Sequence, residues 1–189
     1  MPYTSPEGAP LQVLAQLLTH KHLHHEIREK GGAYGGGAFA QGLAGVFGFY
    51  SYRDPNPQNT LKIIKEAGIW ARDRTWTERD IEEAKLSVFQ GMDAPESVSQ
   101  EGMTEFLSGV GYSMQQTRRE QLLDVSIEDV KQAAEQWLVE SGGESTAVLG
   151  ARQGWVKESE WSIEDLGMRK VVSETVEEGD EKIAAAAVA

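Results

Sequence analysis

The segment that most restricts the fold lies between residues 31 and 48, where eight of eighteen residues are glycine. Glycine costs an element interior backbone entropy and permits positive φ. A leucine-rich helix cannot continue through Gly31-Gly32, so one is expected to end there. Upstream, residues 8 to 27 carry Leu11, Leu14, Leu17 and Leu18 at helical spacing, roughly extended by Leu23 and Ile27. Downstream, Phe47, Phe49 and Ser51 alternate against Gly48, Tyr50 and Tyr52, which predicts a strand that Pro55 and Pro57 end. The chain is therefore required to run from a helix through a tight glycine turn into a glycine-rich strand and an aromatic one.

The remaining signals are mostly helical. Asn59 to Arg72 carries Ile63, Ile64, Ala67, Trp70 and Ala71. Thr77-Glu78-Arg79-Asp80 resembles a capping box opening a helix with Ile81, Ala84, Val88, Phe89 and Met92. A helix is expected from Ser99, with Met103, Phe106, Leu107, Val110 and Met114 as its buried stripe and a continuation toward Leu122. Ser126 caps another that runs through Val130, Ala134, Trp137 and Leu138. Ser145 to Gly150 reads as a short buried strand. Residues 156 to 189 hold nine acidic and four basic residues with little periodicity, one strand being expected near Val171-Val172. The fold class is α+β, a two-layer sandwich of helices on a small, mostly antiparallel sheet. Residues 1–155 form the domain and 156–189 an acidic, partly ordered tail, which Trp155 at its start and Trp161 within it are candidates to anchor. The few strands for so many helices suggest a partial domain.

Composition excludes several functions. A net charge of -12 lacks the clustered cations that nucleic acid or a polybasic membrane contact requires. With no cysteine, thiol catalysis, disulfides and Cys-type zinc sites are excluded. No apolar run approaches the ~20 residues of a membrane span. Met1 to Pro10 shows neither a presequence nor a signal-peptide core, so either the protein is untargeted or Met1 is a start inside a longer protein.

Other candidate chemistry is weak. Gly32 to Gly37 follows a helix, so no helix N-terminus faces a phosphate, and the spacing is neither Walker nor dinucleotide type. All four histidines fall in His20-Lys21-His22-Leu23-His24-His25. Helical geometry pairs His20 with His24 and His22 with Glu26, but no further metal ligand is evident, and protonated histidines near a helix end are the simpler expectation. Asp80, Glu82 and Glu83 read as an acidic first helical turn and not as a catalytic carboxylate pair. Ser126 is a cap without a supporting histidine.

The run from Glu26 to Gly35, EIREKGGAYG, is long and specific, and with His24 to Gly37 it resembles the C-terminal domain of presequence proteases, in the pitrilysin-type zinc metallopeptidase family. Phe49 to Asn56, Glu83 to Phe89, Asp93-Ala94-Pro95 and Arg118 to Leu122 share the resemblance, which runs from about Pro2 to Gly150. It implies a pitrilysin or processing-peptidase-like fold and a mitochondrial matrix location. It implies an ATP-independent zinc endopeptidase that degrades presequences and other short unstructured peptides. Zinc would be held by a His-x-x-Glu-His motif in the N-terminal half of the same enzyme. That motif is absent here, so no metal ligand is expected in this chain, which alone is expected to be inactive. The resemblance assigns catalytic and substrate-binding roles to Arg28 and Tyr34. A tyrosine hydroxyl donates to the oxygen that becomes anionic as water attacks a peptide carbonyl, and an arginine fork holds a carbonyl or carboxylate. Gly35, Gly36 and Gly37 would let a substrate strand approach the backbone. On residues alone, the simpler readings are Arg28 as a cation at a helix C-terminus and Tyr34 as a packed strand aromatic, and the resemblance reverses that preference. The alternative function is a catalytically silent scaffold or peptide-binding domain related to processing-peptidase subunits.

Overall fold

A computed structural model of the chain describes residues 3–141, 145–151 and 153–164. It falls into two compact units, Met1–Ala147 and Val148–Ala189. The first is α+β, as expected. Its order is α1 (Gly8–Leu18), a π-helical segment (Thr19–Lys30), β1 (Gly35–Gln41), β2 (Val46–Tyr52), α2 (Pro57–Asp73) and α3 (Glu78–Met92). A 3-10 turn (Val98–Gln100), α4 (Met103–Ser108), α5 (Tyr112–Asp124), α6 (Ile127–Ala134) and a π-type turn (Glu135–Val139) follow.

The leucine stripe makes α1 central. Leu11, Val13, Leu14, Leu17 and Leu18 are buried, and Leu23 and Ile27 continue the apolar face through the π-helical segment. They share one core with Ala67 and Ala71 of α2, Ile81 and Ala84 of α3, Leu122 of α5, and Val130 and Ala134 of α6. Each fully buried leucine contributes about 1.5–3 kcal/mol, so this face decides where the helix sits. The anticipated capping box of Thr77 with Asp80 opens α3, and the anticipated Ser126 cap opens α6 as a full capping box with Asp129.

The two strands form an antiparallel ladder with Gly35 opposite Tyr52 and Gln41 opposite Val46. Thr19 binds the ladder to the helix: its hydroxyl donates to the Ala15 carbonyl at 2.8 Å, with the Ala38 carbonyl also within 3.2 Å, and accepts from the Ala38 N–H at 2.9 Å. Behind α1, Arg118 of α5 is 1% exposed and donates to the Tyr3 carbonyl, while Gln121 donates to the Thr4 carbonyl at 2.8 Å. These two bonds strap the N-terminal segment across α5.

Two expectations are corrected. The continuous helix from Ser99 breaks at Gly102 and Gly109, which adopt φ +74 and +73, a left-handed conformation that ends helices. Its proposed core stripe is mostly outside: Val110 is buried, but Phe106 is 85% and Leu107 73% exposed. The segment Ser145 to Gly150 is neither a strand nor buried, all six residues being exposed. A strand needs a neighbour for its backbone groups, and the one described ladder has only two members. In the second unit, Trp155 and Trp161 pack edge to face at 5.6 Å. The strand expected near Val171-Val172 lies outside the described residues.

Candidate functional site

The helix that starts at Gly8 ends in the turn that builds the site. Gly31 and Gly32 close it, with Gly32 at φ +80. The Gly32 N–H reaches the Arg28 carbonyl at 3.0 Å, and the Ala33 N–H reaches the Ile27 carbonyl at 3.1 Å. Each bond spans one residue more than in the usual glycine-terminated α-helix, as the wider π-type turn requires. At Gly31 a Cβ would stand 2.5 Å from the Ile27 carbonyl oxygen, so a side chain has no room there. The chain then enters β1, with the Tyr34 N–H bonded to the Tyr52 carbonyl at 3.1 Å.

This turn brings Arg28 and Tyr34 to one open cavity of about 580 Å³, which His24, Glu29 and Ala33 also line. Tyr34 is 69% exposed and lies outside the core. The Arg28 guanidinium is exposed, with no hydrogen-bond or ion-pair partner among the described residues. Neither this guanidinium nor the Tyr34 hydroxyl has a hydrogen-bond partner among the described residues, so both can offer donors to a carbonyl or carboxylate.

The three glycines separate into two kinds. Cβ atoms at Gly36 and Gly37 would lie 2.9 Å from the Ile27 side chain and 3.0 Å from that of Thr19. Glycine at these two buried positions lets β1 sit directly on the helix. At Gly35 a Cβ would meet nothing within 4 Å, so the chain's own packing does not demand glycine there.

The histidines diverge. His22 stacks on Trp70 at 4.2 Å, and Trp70 in turn packs against Trp76 at 5.6 Å, with Arg74 over both rings. His25 meets Glu29 at 2.7 Å, and His20 and His24 meet edge to face at 5.3 Å. Burial lowers the His22 pKa; burial first, then His20 and Arg28, lowers that of His24. Both are therefore shifted toward the neutral form. Among the described residues no group of three or more His, Asp or Glu could hold a metal ion. The acidic turn of α3 has cationic partners: Lys21 lies 2.8 Å from Asp80 and 3.0 Å from Glu83, and Arg79 lies 2.8 Å from Glu83. Among the described residues no helix is long and apolar enough to cross a membrane.

Sequence reasoning does not single out His24 as a cavity residue, although its i, i+4 spacing from Arg28 is the signal for a shared face. Nor does it single out Tyr52 and Arg53. The Tyr34 and Tyr52 rings meet edge to face at 6.0 Å, and the Arg53 guanidinium lies 5.8 and 5.4 Å from their centroids.

Comparison with known proteins agrees with the resemblance. Residues 7–149 match the family described as the PreP C-terminal domain. Proteins named presequence protease, mitochondrial, are similar to this chain. The Gibberella zeae protein is 61% identical over 88% of the chain, that of Aspergillus fumigatus 52% over 89%, and that of Saccharomyces cerevisiae 49% over 88%. The chain spans only 17%, 16% and 17% of the lengths of these curated relatives. With a family match over residues 7–149, most of its length, the chain belongs to the PreP C-terminal domain family.

Proposed function

We propose that this chain is the C-terminal, substrate-binding part of an ATP-independent zinc metalloendopeptidase of the mitochondrial matrix. Its substrates are presequences and other short unstructured peptides. The observation that carries the reading is the meeting of Arg28 and Tyr34 at one open cavity, neither having a hydrogen-bond partner among the described residues that would occupy its donors. The names of the relatives support the substrate class and the mitochondrial address.

In this reading the metal belongs to the N-terminal part of the same protein, where it supplies Lewis-acid activation of the attacking water. The residues of this chain bind and orient the peptide. The Arg28 fork holds a carbonyl or carboxylate of the substrate. The Tyr34 hydroxyl donates to the scissile carbonyl oxygen, a bond that strengthens as that oxygen gains charge. Gly35 leaves the backbone open to an extended peptide, whereas Gly36 and Gly37 act by seating β1 on the helix. By itself the chain is inactive.

The test uses the full-length protein and an internally quenched unstructured peptide. Arg28→Ala should raise KM roughly tenfold or more, since a hydrogen bond to a charged group contributes about 1.5–3 kcal/mol. Arg28→Lys should restore only part of this, because an ammonium lacks the planar fork. Unchanged KM and kcat in Arg28→Ala would reject the assignment.

A further inference from the structure

Arg53 is the one described non-glycine residue with a positive φ, at +49. A side chain in this conformation costs free energy that the surroundings must offset, and such outliers gather where function fixes the backbone. Here the outlier ends β2, immediately after Tyr52 and before the turn at Asp54, whose carboxylate accepts the Asn56 N–H at 2.8 Å. The ladder has already brought this end of β2 to Tyr34. Gly35 faces Tyr52, and the Tyr34 N–H is bonded to the Tyr52 carbonyl.

The Arg53 guanidinium has no carboxylate or hydrogen-bond partner among the described residues. Its contacts are the faces of two tyrosines, at 5.8 Å from the Tyr34 centroid and 5.4 Å from that of Tyr52. Both distances lie within cation–π range. Tyr52 meets Tyr34 edge to face, so the Tyr34 ring is bounded by an aromatic neighbour and a cation. Tyr34 otherwise projects from the surface, where an unsupported phenol would sample several rotamers. We propose that Arg53 is a positioning residue for Tyr34: with Tyr52 it clamps the ring so that the hydroxyl is presented to the cavity shared with Arg28.

This inference rests on the proposed role of Tyr34. Arg53 acts on orientation and touches no reacting atom. Its loss should therefore lower kcat and leave KM in place, and only while Tyr34 has a hydroxyl to orient. The left-handed backbone selects the variant: Arg53→Gly removes the cation and leaves a residue that adopts φ near +49 without steric cost.

The experiment is a double-mutant cycle in the full-length protein with the same quenched peptide, combining Arg53→Gly and Tyr34→Phe. Arg53→Gly should lower kcat about fivefold, the scale of an exposed cation–π contact, with KM and melting temperature kept. Arg53→Lys should recover part of the loss. In the Tyr34→Phe background, Arg53→Gly should change nothing further. An equal fall in both backgrounds, a rise in KM alone, or an unchanged kcat in Arg53→Gly would overturn the inference while leaving the role of Tyr34 intact. If Tyr34→Phe is itself without effect, the parent reading fails and this one with it.

Discussion

Asp80 links two parts of the molecule through one carboxylate. It accepts the Thr77 N–H at 3.1 Å to complete the cap of α3, and it pairs with Lys21 at 2.8 Å on the π-helical segment. Lys21 first, then Thr77, draws its pKa down to about 2. The folded state therefore prefers the ionised form more than the unfolded chain does. This contribution is present above the unfolded value near 4 and is lost as pH falls from there through about 2. Asp80→Ala should destabilise the protein by about 1–2 kcal/mol at neutral pH, measured by urea unfolding, and should flatten the stability loss between about pH 4 and 2. A variant as stable as the parent would show that cap and pair contribute nothing. Sequence alone reveals the cap, because Thr-x-x-Asp before an apolar stripe is a local pattern. It hides the pair, since Lys21 and Asp80 are distant in the chain and meet only after α1 and α3 pack. The same limit applies to Arg53, whose left-handed backbone no local residue pattern announces. Arg28 and Tyr34 were legible through resemblance, while their residue types alone favour a helix-end cation and a packed strand aromatic.

The helix–turn–strand element is the device that holds the site. Its leucine stripe is legible because Leu11 to Ile27 face one core. Its π-type winding is not, because no side chain in the run specifies hydrogen bonds of longer reach. The winding sets where Arg28 leaves the last turn, and Gly31 sets where the chain departs. Gly31→Ala should cost about 1–3 kcal/mol, because its Cβ would be forced onto the Ile27 carbonyl. Thermal unfolding would show this as a lowered midpoint, and an unchanged midpoint would mean the helix end relaxes freely. The region around α4 shows how periodicity misleads. Met103, Phe106 and Leu107 have the spacing of a buried stripe, yet spacing does not show that anything covers it, and Gly102 and Gly109 were the stronger signal. Ser145 to Leu149 has strand-forming composition but finds no pairing neighbour among the described strands.

At the scale of the whole molecule, the chain occupies about one sixth of the length of its relatives (17% and 16% for two of them), and its cavity faces outward. The net charge of -12 favours the approach of cationic peptides, an effect that salt screens. The proposal at the centre is that this domain contributes a hydrogen-bond donor, the Tyr34 hydroxyl, to chemistry carried out with the remainder of the protein. Single-turnover cleavage at saturating peptide isolates that step from binding. In the full-length protein, Tyr34→Phe should lower the single-turnover rate by roughly 10²–10³, the scale of one lost oxyanion donor, while the peptide dissociation constant moves less than about threefold. A Tyr34→Phe protein that cleaves at the parent rate, or one whose entire loss is recovered by raising peptide concentration, would contradict the account.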